Sequence, residues 1–510
     1  MAFLRLSLHR CLLILLLALG GFLRLIDITD PPLDFHPTRQ LRNAIVARGI
    51  YYKMQPQADP IQRELALTIA RIPARYEPPI VETLSALTYL WIGGESIAIP
   101  RLYGTVFWLL AGLALYDLAR RITRSPIAAL LSSAYFLVLP FSVQASRSFQ
   151  PDPLMTASAV IGIYFLFRWS EARTAEGAEG ERWTRGRISA SWRFALLAAL
   201  SIGFSALVKI FIAWIVGGAA IAMVLFTLGR NAWRSRQMWS MLAVMVTPAL
   251  LHYFVFHPER SSEYAVNWSL EMFTLLTSTD FYTKWLAFLG SLFGQTFLFL
   301  SLIGTVLMAQ RGRALLIGLW TGYVLYGLSV PFQMYTHSYY HLQLTPIIAL
   351  GLCPLIEIGA RRASEEKRGW QMALIGLIVA GIGFQAWVAR SILLSENFRG
   401  EPAYWERVGQ SIPPRAQVIA LTQDFGYRLM YYGWRRVTLW PIASGLAEVR
   451  GKTLNAEKVF AELAADKEYF LVTTFNQLEK QPDLKAILDQ YAVAARGEGF
   501  VLYDLRRPKP

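Results

Sequence analysis

The sequence predicts a polytopic α-helical membrane protein with a C-terminal α/β domain outside the membrane, and three observations lead there. Apolar residues come in runs of membrane-spanning length, about twenty residues. Arginines and lysines gather in the short connections between alternate runs. Beyond residue 394 the runs end, and short β-like stretches alternate with helical pattern. The totals agree. Of 510 residues, 54% are hydrophobic and 17% are charged, with a mean hydropathy of +0.35, too apolar for a soluble chain of this length. The formal net charge of +15 sits mainly at the ends of apolar runs, where it reads as membrane-flanking charge and not as a nucleic-acid footprint. Nucleic acid is therefore excluded as a partner. Cys11 and Cys353 both lie inside apolar runs, so no disulfide framework is expected.

Arg5 and Arg10 precede the first span, which places the N-terminus in the cytoplasm. Leu12 to Leu25 continues without an Ala-x-Ala-like cleavage site, so this segment is expected to be a retained helix. The loop over 27–95 is then outside. Further spans are expected over 97–119, 127–139 and 153–167. A long run over 194–228 splits at Lys209, and further spans follow at 239–256, 285–308, 314–330, 342–358 and 372–388. That makes about eleven spans, with two or more basic residues in each inner loop and the C-terminus outside. The domains are thus 1–394, a membrane domain with its outer loop 27–95, and 395–510, an extracytoplasmic domain. In the latter, strands are expected over 417–422, 437–440, 469–474 and 499–504, with a helix over 455–466.

Chemistry is expected on the outer loops. In the first, Asp34 is followed by His36 and Arg39 and could act as a general base, or could cap the helix starting near Thr38. Between Asp59 and Arg71, Ile61, Leu65, Ile69 and Ile72 share one face, as in a helix lying flat on the interface. Arg75 and Glu77-Pro78-Pro79 follow. At the mouth of the span beginning at Pro153, Asp152 could share an acceptor with Asp34, bind a divalent cation with it through oxygen ligands, or simply be the N-cap of that helix, with Pro153 at the first helical position. Arg39, Arg75, Arg147 and Lys209 are cations on the outer face, suited to a phosphate leaving group or to lipid phosphates. His337, Tyr339, Tyr340 and His341 form a last cluster; a helix would put the two histidines on one face, facing metal or phosphate. They could equally be aromatic-belt residues.

With these residues in place, the chain resembles the C-type (GT-C) glycosyltransferases, in particular the dolichyl-phosphate-mannose protein mannosyltransferases and the lipid A aminoarabinose transferases, over roughly its first 350 residues. The resemblance is carried by Asp34 after the first span, Pro78-Pro79 and Gly93-Gly94 to Arg101. It continues through Phe149-Gln-Pro-Asp152-Pro-Leu, Leu207-Val-Lys209, and Tyr339-Tyr340 to Pro346. The chain departs from the pattern at Phe35, where the family commonly has a second acid, and at Glu77, where it often has Lys or His. The resemblance implies an inverting transfer of a sugar from a polyprenyl-phosphate donor to a protein, lipid or glycan acceptor on the outer face of a bacterial inner membrane. It makes Asp34 the base, has Asp152 position the acceptor or a metal, and has Lys209, Arg75 or the 337–341 region stabilise the departing phosphate. A lipid or sugar transporter and a catalytically inactive binding protein are the other readings. Transporters usually carry ionisable groups at mid-membrane, whereas here they gather at helix ends.

Overall fold

The computed structural model describes residues 2–74, 76–177, 189–443 and 455–509. The chain divides into two compact units. One comprises Met1–Ile28, Arg75–Val81 and Pro100–Ser395; the other comprises Thr29–Ala74, Glu82–Ile99 and Glu396–Pro510. Most of the long first loop is thus grouped with the C-terminal residues and not with the membrane helices.

In chain order the helices are α1 (Ala2–Leu25), α2 (Pro37–Lys53), α3 (Pro60–Ile69), α4 (Ile80–Ile92), α5 (Ala98–Thr123), α6 (Pro126–Val138), α7 (Pro140–Arg147) and α8 (Asp152–Glu176). There follow α9 (Ala190–Val208), α10 (Ala213–Leu228), α11 (Arg236–Leu250), α12 (Pro258–Trp268), α13 (Thr279–Phe293), α14 (Gln295–Leu307), α15 (Gln310–Ser329), α16 (Leu344–Glu365) and α17 (Arg368–Leu394). Among the described residues, seven helical segments are long and apolar enough to cross a membrane, and nine if the bent pairs α6/α7 and α13/α14 each count as one span. This is an integral membrane protein. The other two segments expected as spans are helical, α8 and α15, but fall outside this count, their apolar stretches being diluted by Asp152, Arg168 and Glu171 and by Arg311 and Arg313. The run over 194–228 breaks at Lys209, as its lone charge predicts, through a 3-10 turn at Ile210–Ile212. The loop expected over 257–284 is instead largely helical, built from α12 and a 3-10 turn at Leu270–Thr277.

Membrane helices gain little from apolar burial against one another, so close backbone approach between small residues matters. A Cβ placed on Gly218 of α10 would lie 2.3 Å from the Gly318 carbonyl oxygen of α15, and one on Gly322 would lie 2.3 Å from the Trp214 carbonyl oxygen. Those contacts fix the spacing of α10 and α15. The C-terminal end of α1 is held differently, by buried guanidinium groups that donate to backbone carbonyls in and just beyond it. Arg101 donates to Ile28 O at 3.0 Å, and Arg147 donates to Ile26 O and to Asp27 O. Arg24 donates to Gly20 O, Leu137 O and Ser146 Oγ.

In the second unit, α18 (Glu401–Gln410), α19 (Tyr427–Tyr432), α20 (Ala456–Ala464), α21 (Phe475–Glu479) and α22 (Pro482–Leu488) surround a sheet. Its strands are β1 (Val418–Leu421), β2 (Thr438–Leu439), β3 (Tyr469–Val472), β4 (Tyr491–Gly497) and β5 (Phe500–Pro508). Among the described residues the order is β2-β1-β3-β5-β4, with β1 parallel to β2 and β3 and the other pairings antiparallel. The partly parallel sheet expected from the sequence is present; β4 was not expected, because its residues are mostly exposed and carry no apolar run. β1 and β3 are buried on both faces, which is why they read as continuous apolar runs. Val418, Ala420 and Leu471 point into one core with Trp405, Leu429 and Met430, and that core also takes in Ile45 of α2 and Ile69 of α3. Ile419, Leu421 and Phe470 point into the other, with Leu484 and Leu488. α3 therefore differs from the expected flat interfacial helix: Ile69 is core, whereas Ile61 is exposed.

Gly322→Leu should push α10 and α15 apart and cost about 1–3 kcal/mol of stability, the usual penalty for overpacking. Gly217→Leu, with open space at its Cβ, should be near neutral. Thermal unfolding of the detergent-solubilised protein separates the two; equal losses would refute the close-approach argument.

Candidate functional site

Lys209 sits at the α9–α10 break with an extended backbone (φ −157°), so its side chain leaves the helix axis and turns toward α8. Its Nζ is 2.7 Å from Asp152 Oδ1, and both residues are buried, at 3% and 1% exposure. The ammonium also lies 4.3 Å from the Tyr340 ring centroid and 4.9 Å from that of Tyr339, within cation–π range. Tyr340 is fixed from several sides. Its hydroxyl meets that of Tyr264 at 2.5 Å, and its carbonyl accepts from Tyr326 Oη and Gln343 Nε2.

These groups border a cavity of about 350 Å³ whose lining includes Tyr76, Glu77, Lys209, Phe211, Trp214, Tyr253, Phe254, Tyr264 and Tyr340. Its lining combines a few polar groups, among them Lys209 and Glu77, with a mostly aromatic and aliphatic wall. Tyr253 and Phe254 reach it from a π-helical segment, Leu251–Phe256, that follows Pro248 of α11. Inside-helix proline and π-helical widening go together here, and such segments recur at functional sites. Beside the ion pair, hydrogen-bonding capacity is left over. Asp152 Oδ2 and both amide atoms of Gln150 are buried without a hydrogen-bond partner among the described residues. A buried polar atom without a partner is costly, so this group is suited to a ligand that brings donors and acceptors.

The structure places the expected residues as follows. Asp152, Lys209, Tyr339, Tyr340 and Glu77 come together at or beside the cavity. Asp152 does not cap α8; Pro151 stands at the N-cap, and the carboxylate turns to Lys209. Arg147, expected near phosphate, is buried and gives hydrogen bonds to the end of α1. The two histidines do not share a helical face, because only Ser338–His341 turns, and as a 3-10 segment. His341 accepts from the Tyr323 hydroxyl at Nδ1, and its Nε2 donates to Met334 O, so both nitrogens are engaged. Burial pushes the His341 imidazole down to about 3, which leaves a neutral ring and no phosphate-binding cation. His337 is half-buried, with Nδ1 2.7 Å from Thr336 Oγ1. Arg75 lies outside the described residues.

Asp34, His36 and Arg39 belong to the second unit. Asp34 does not cap α2. The N-cap is His36, in left-handed backbone (φ 47°) and without a side-chain cap bond, while Asp34 Oδ1 accepts from Gln40 Nε2 at 3.2 Å. Phe35 is buried and packs edge-on to the His36 ring at 4.7 Å. Arg39 lies in the first turn of α2. Tyr253 and Tyr264, which line the cavity, and Gln150 were not singled out from the sequence, nor was Gln40, the partner of Asp34; only the position of Gln150 two before Asp152 offered a signal.

A divalent cation was one of the readings of Asp34 and Asp152. Among the described residues no three of His, Cys, Asp and Glu converge, and Asp152 already holds the Lys209 ammonium. This donor set does not fit a carboxylate-bound metal.

Comparison with known proteins bears on the fold. The family model of the dolichyl-phosphate-mannose-protein mannosyltransferases matches residues 88–264, the stretch that carries Asp152 and Lys209. The fold is that of the GT-C glycosyltransferases. The structure is similar to that of ArnT from Cupriavidus metallidurans bound to undecaprenyl phosphate, at 13% identity and a TM-score of 0.58, covering 99% of this chain and 98% of that one. The apo form of the same protein gives 14% identity and 0.59, with 98% of each chain covered. The archaeal oligosaccharyltransferase AglB from Archaeoglobus fulgidus, in complex with an inhibitory peptide and a dolichol-phosphate, matches at 12% identity and 0.57, covering 96% of this chain and 73% of that one. No curated protein sequence matches the chain.

Removing one partner of a buried ion pair strands the other. Lys209→Met should cost about 3–5 kcal/mol, and adding Asp152→Asn should recover a large part of that loss. Unfolding midpoints of the single and double variants check this; a double variant no more stable than Lys209→Met would mean that the pair is not coupled.

Proposed function

We propose that this protein is a membrane glycosyltransferase that takes a sugar from a polyprenyl-phosphate donor and transfers it, with inversion, to an acceptor on the extracytoplasmic face. The observation that carries the proposal is the cavity itself, which a buried ammonium shares with a mostly aromatic and aliphatic lining. A lipid phosphate has that composition. The phosphate would meet Lys209 and the hydroxyls of Tyr340 and Tyr264, while the first isoprene units would lie along Phe211, Trp214 and Phe254. The undecaprenyl phosphate and dolichol-phosphate present in the ArnT and AglB structures support this choice of ligand. Glu77, on the same lining, would accept hydrogen bonds from sugar hydroxyls, since a carboxylate cannot hold a phosphate.

The reaction proposed is one displacement at the anomeric carbon. The acceptor oxygen or nitrogen forms the new bond as its proton passes to Asp34. The bond from anomeric carbon to phosphate oxygen breaks, and its electron pair leaves with the phosphate. Lys209, beside Tyr340, stabilises the charge developing on that oxygen. Asp152 Oδ2 and the Gln150 amide would orient the acceptor. The Lys209 ammonium supplies the positive charge, and no step runs through a metal. The preference of basic residues for alternate loops supports a cytoplasmic N-terminus, an extracytoplasmic C-terminal domain and residence in a bacterial inner membrane.

The test is release or transfer of label from a panel of radiolabelled undecaprenyl-phosphate sugars by the purified protein in membrane extract. Wild type should turn over at least one donor, and Asp34→Asn should lose at least about 100-fold in kcat, the lower range for a general base. Tyr340→Phe should raise donor KM about fivefold, the worth of one hydrogen bond. No turnover with any donor, or turnover indifferent to Asp34, would reject the proposal and favour a binding protein.

A further inference from the structure

The turn that carries Asp34 is held from within its own unit, by residues far away in sequence. Gln40 is fully buried; its Nε2 donates to Asp34 Oδ1 at 3.2 Å and to the Phe35 carbonyl at 2.7 Å. Thr38, in the first turn of α2, donates from Oγ1 to Asp424 Oδ1 at 3.0 Å. The other oxygen of Asp424 accepts from Arg428 Nε at 2.5 Å. Arg428 Nη1 reaches Glu401 Oε2 at 3.0 Å, which also accepts from Trp405 Nε1 at 2.8 Å. Burial works against the Arg428 charge, but Asp424 and Glu401 outweigh it and hold the guanidinium above its ordinary value. Ahead of Asp34, Asp30 accepts from the Phe398 backbone N–H at 3.2 Å.

Two further features show that this is a built support. Asp424, Phe425 and Gly426 have φ of 50°, 55° and 72°, a left-handed run that non-glycine residues adopt only at a cost. The run follows the carboxyl end of β1, where the Asp424 carboxylate lies between Thr38 and Arg428. Farther along α2, Arg48 bonds Glu95 at 2.9 Å and lies 3.9 Å and 4.2 Å from the Tyr431 and Trp434 ring centroids. α2 is thus fastened at both ends to the residues around the sheet.

We infer that Gln40, Thr38 and Asp424 are positioning residues for Asp34, and that the C-terminal α/β domain thereby sets the orientation of the base. This inference rests on the reading of Asp34 given above. A base misplaced by about 1 Å loses up to about 100-fold in rate without losing substrate affinity, so the effect belongs in kcat and not in donor KM.

The experiment uses the full-length protein and the undecaprenyl-phosphate sugar that wild type turns over. Thr38→Val keeps the shape of the side chain and removes the hydroxyl; Thr38→Ser restores it. Gln40→Met removes the amide from the buried site. Thr38→Val should lower kcat about tenfold and Gln40→Met about 10- to 100-fold, with donor KM within about twofold of wild type. Thr38→Ser should return most of the rate. Amide hydrogen exchange over residues 30–36 should rise in Thr38→Val and Gln40→Met, a readout that does not depend on the donor. If Asp34→Asn is inactive while both variants keep wild-type kcat and exchange, the positioning role is refuted and the base survives. If Asp34→Asn is as active as wild type, or wild type turns over no donor, both fall. Should Gln40→Met fail to fold, Thr38→Val and Thr38→Ser decide alone.

Discussion

The ion pair between Lys209 and Asp152 is the constraint on which the membrane unit turns. Taking an ammonium and a carboxylate out of water costs several kcal/mol per ion, and neither group here reaches solvent to any extent. The pair persists because each helix ends at it. α9 stops at Lys209 and α10 restarts beyond a 3-10 turn, while α8 begins at Asp152. The breaks free the side chains to meet, and the meeting fixes the breaks. Around it the aromatic residues take up the rest of the cost, with two tyrosine rings against the ammonium. A charge held this way is rigid and poorly hydrated, and such a charge stabilises a developing anion far better than a solvated one.

Much of this was legible in the sequence, for a definite reason in each case. A lone lysine in the middle of a thirty-five-residue apolar run, 194–228, has few ways to avoid lipid, so it marked the helix break correctly. An aspartate flanked by prolines at a helix start marked the mouth of α8. β1 and β3 announced themselves because strands buried on both faces leave unbroken apolar runs. What stayed hidden depended on contacts across long sequence separations. Nothing near Arg147 says that its guanidinium will meet carbonyls at Ile26 and Asp27, and a cation in an outer loop reads the same whether it binds phosphate or caps a helix. His337 and His341 were read with helical spacing, but the segment forms a 3-10 turn, and the second ring turns inward to Tyr323 and Met334. Tyr264 lay in a stretch read as loop, and only the fold of α12 brings its hydroxyl to Tyr340.

The composition of the second unit was the least visible from the sequence. A polar loop after a first span and a domain at the far end of the chain look like separate parts when read in order. Apolar periodicity in α3 can be satisfied by a lipid interface or by a protein core, and pattern alone cannot separate those environments. The structure chooses the core: Ile45, Ile69 and Ala70 lie among Trp405, Leu429 and Leu471. Loop and domain then share one hydrophobic cluster, and a cluster of that kind unfolds as a unit.

Phe35 marks where this chain departs from the enzymes it resembles. Where the resembling enzymes commonly carry a second acid, this chain has a buried phenyl ring packed on His36, with its carbonyl accepting from Gln40. A second carboxylate in that place would have to be desolvated beside Asp34 and would repel it; a hard cation is the usual remedy for such a pair. The phenyl ring removes both the repulsion and the remedy. In the proposed reaction Asp34 would accept the acceptor's proton, and the charge for the leaving phosphate would be the buried ammonium of Lys209.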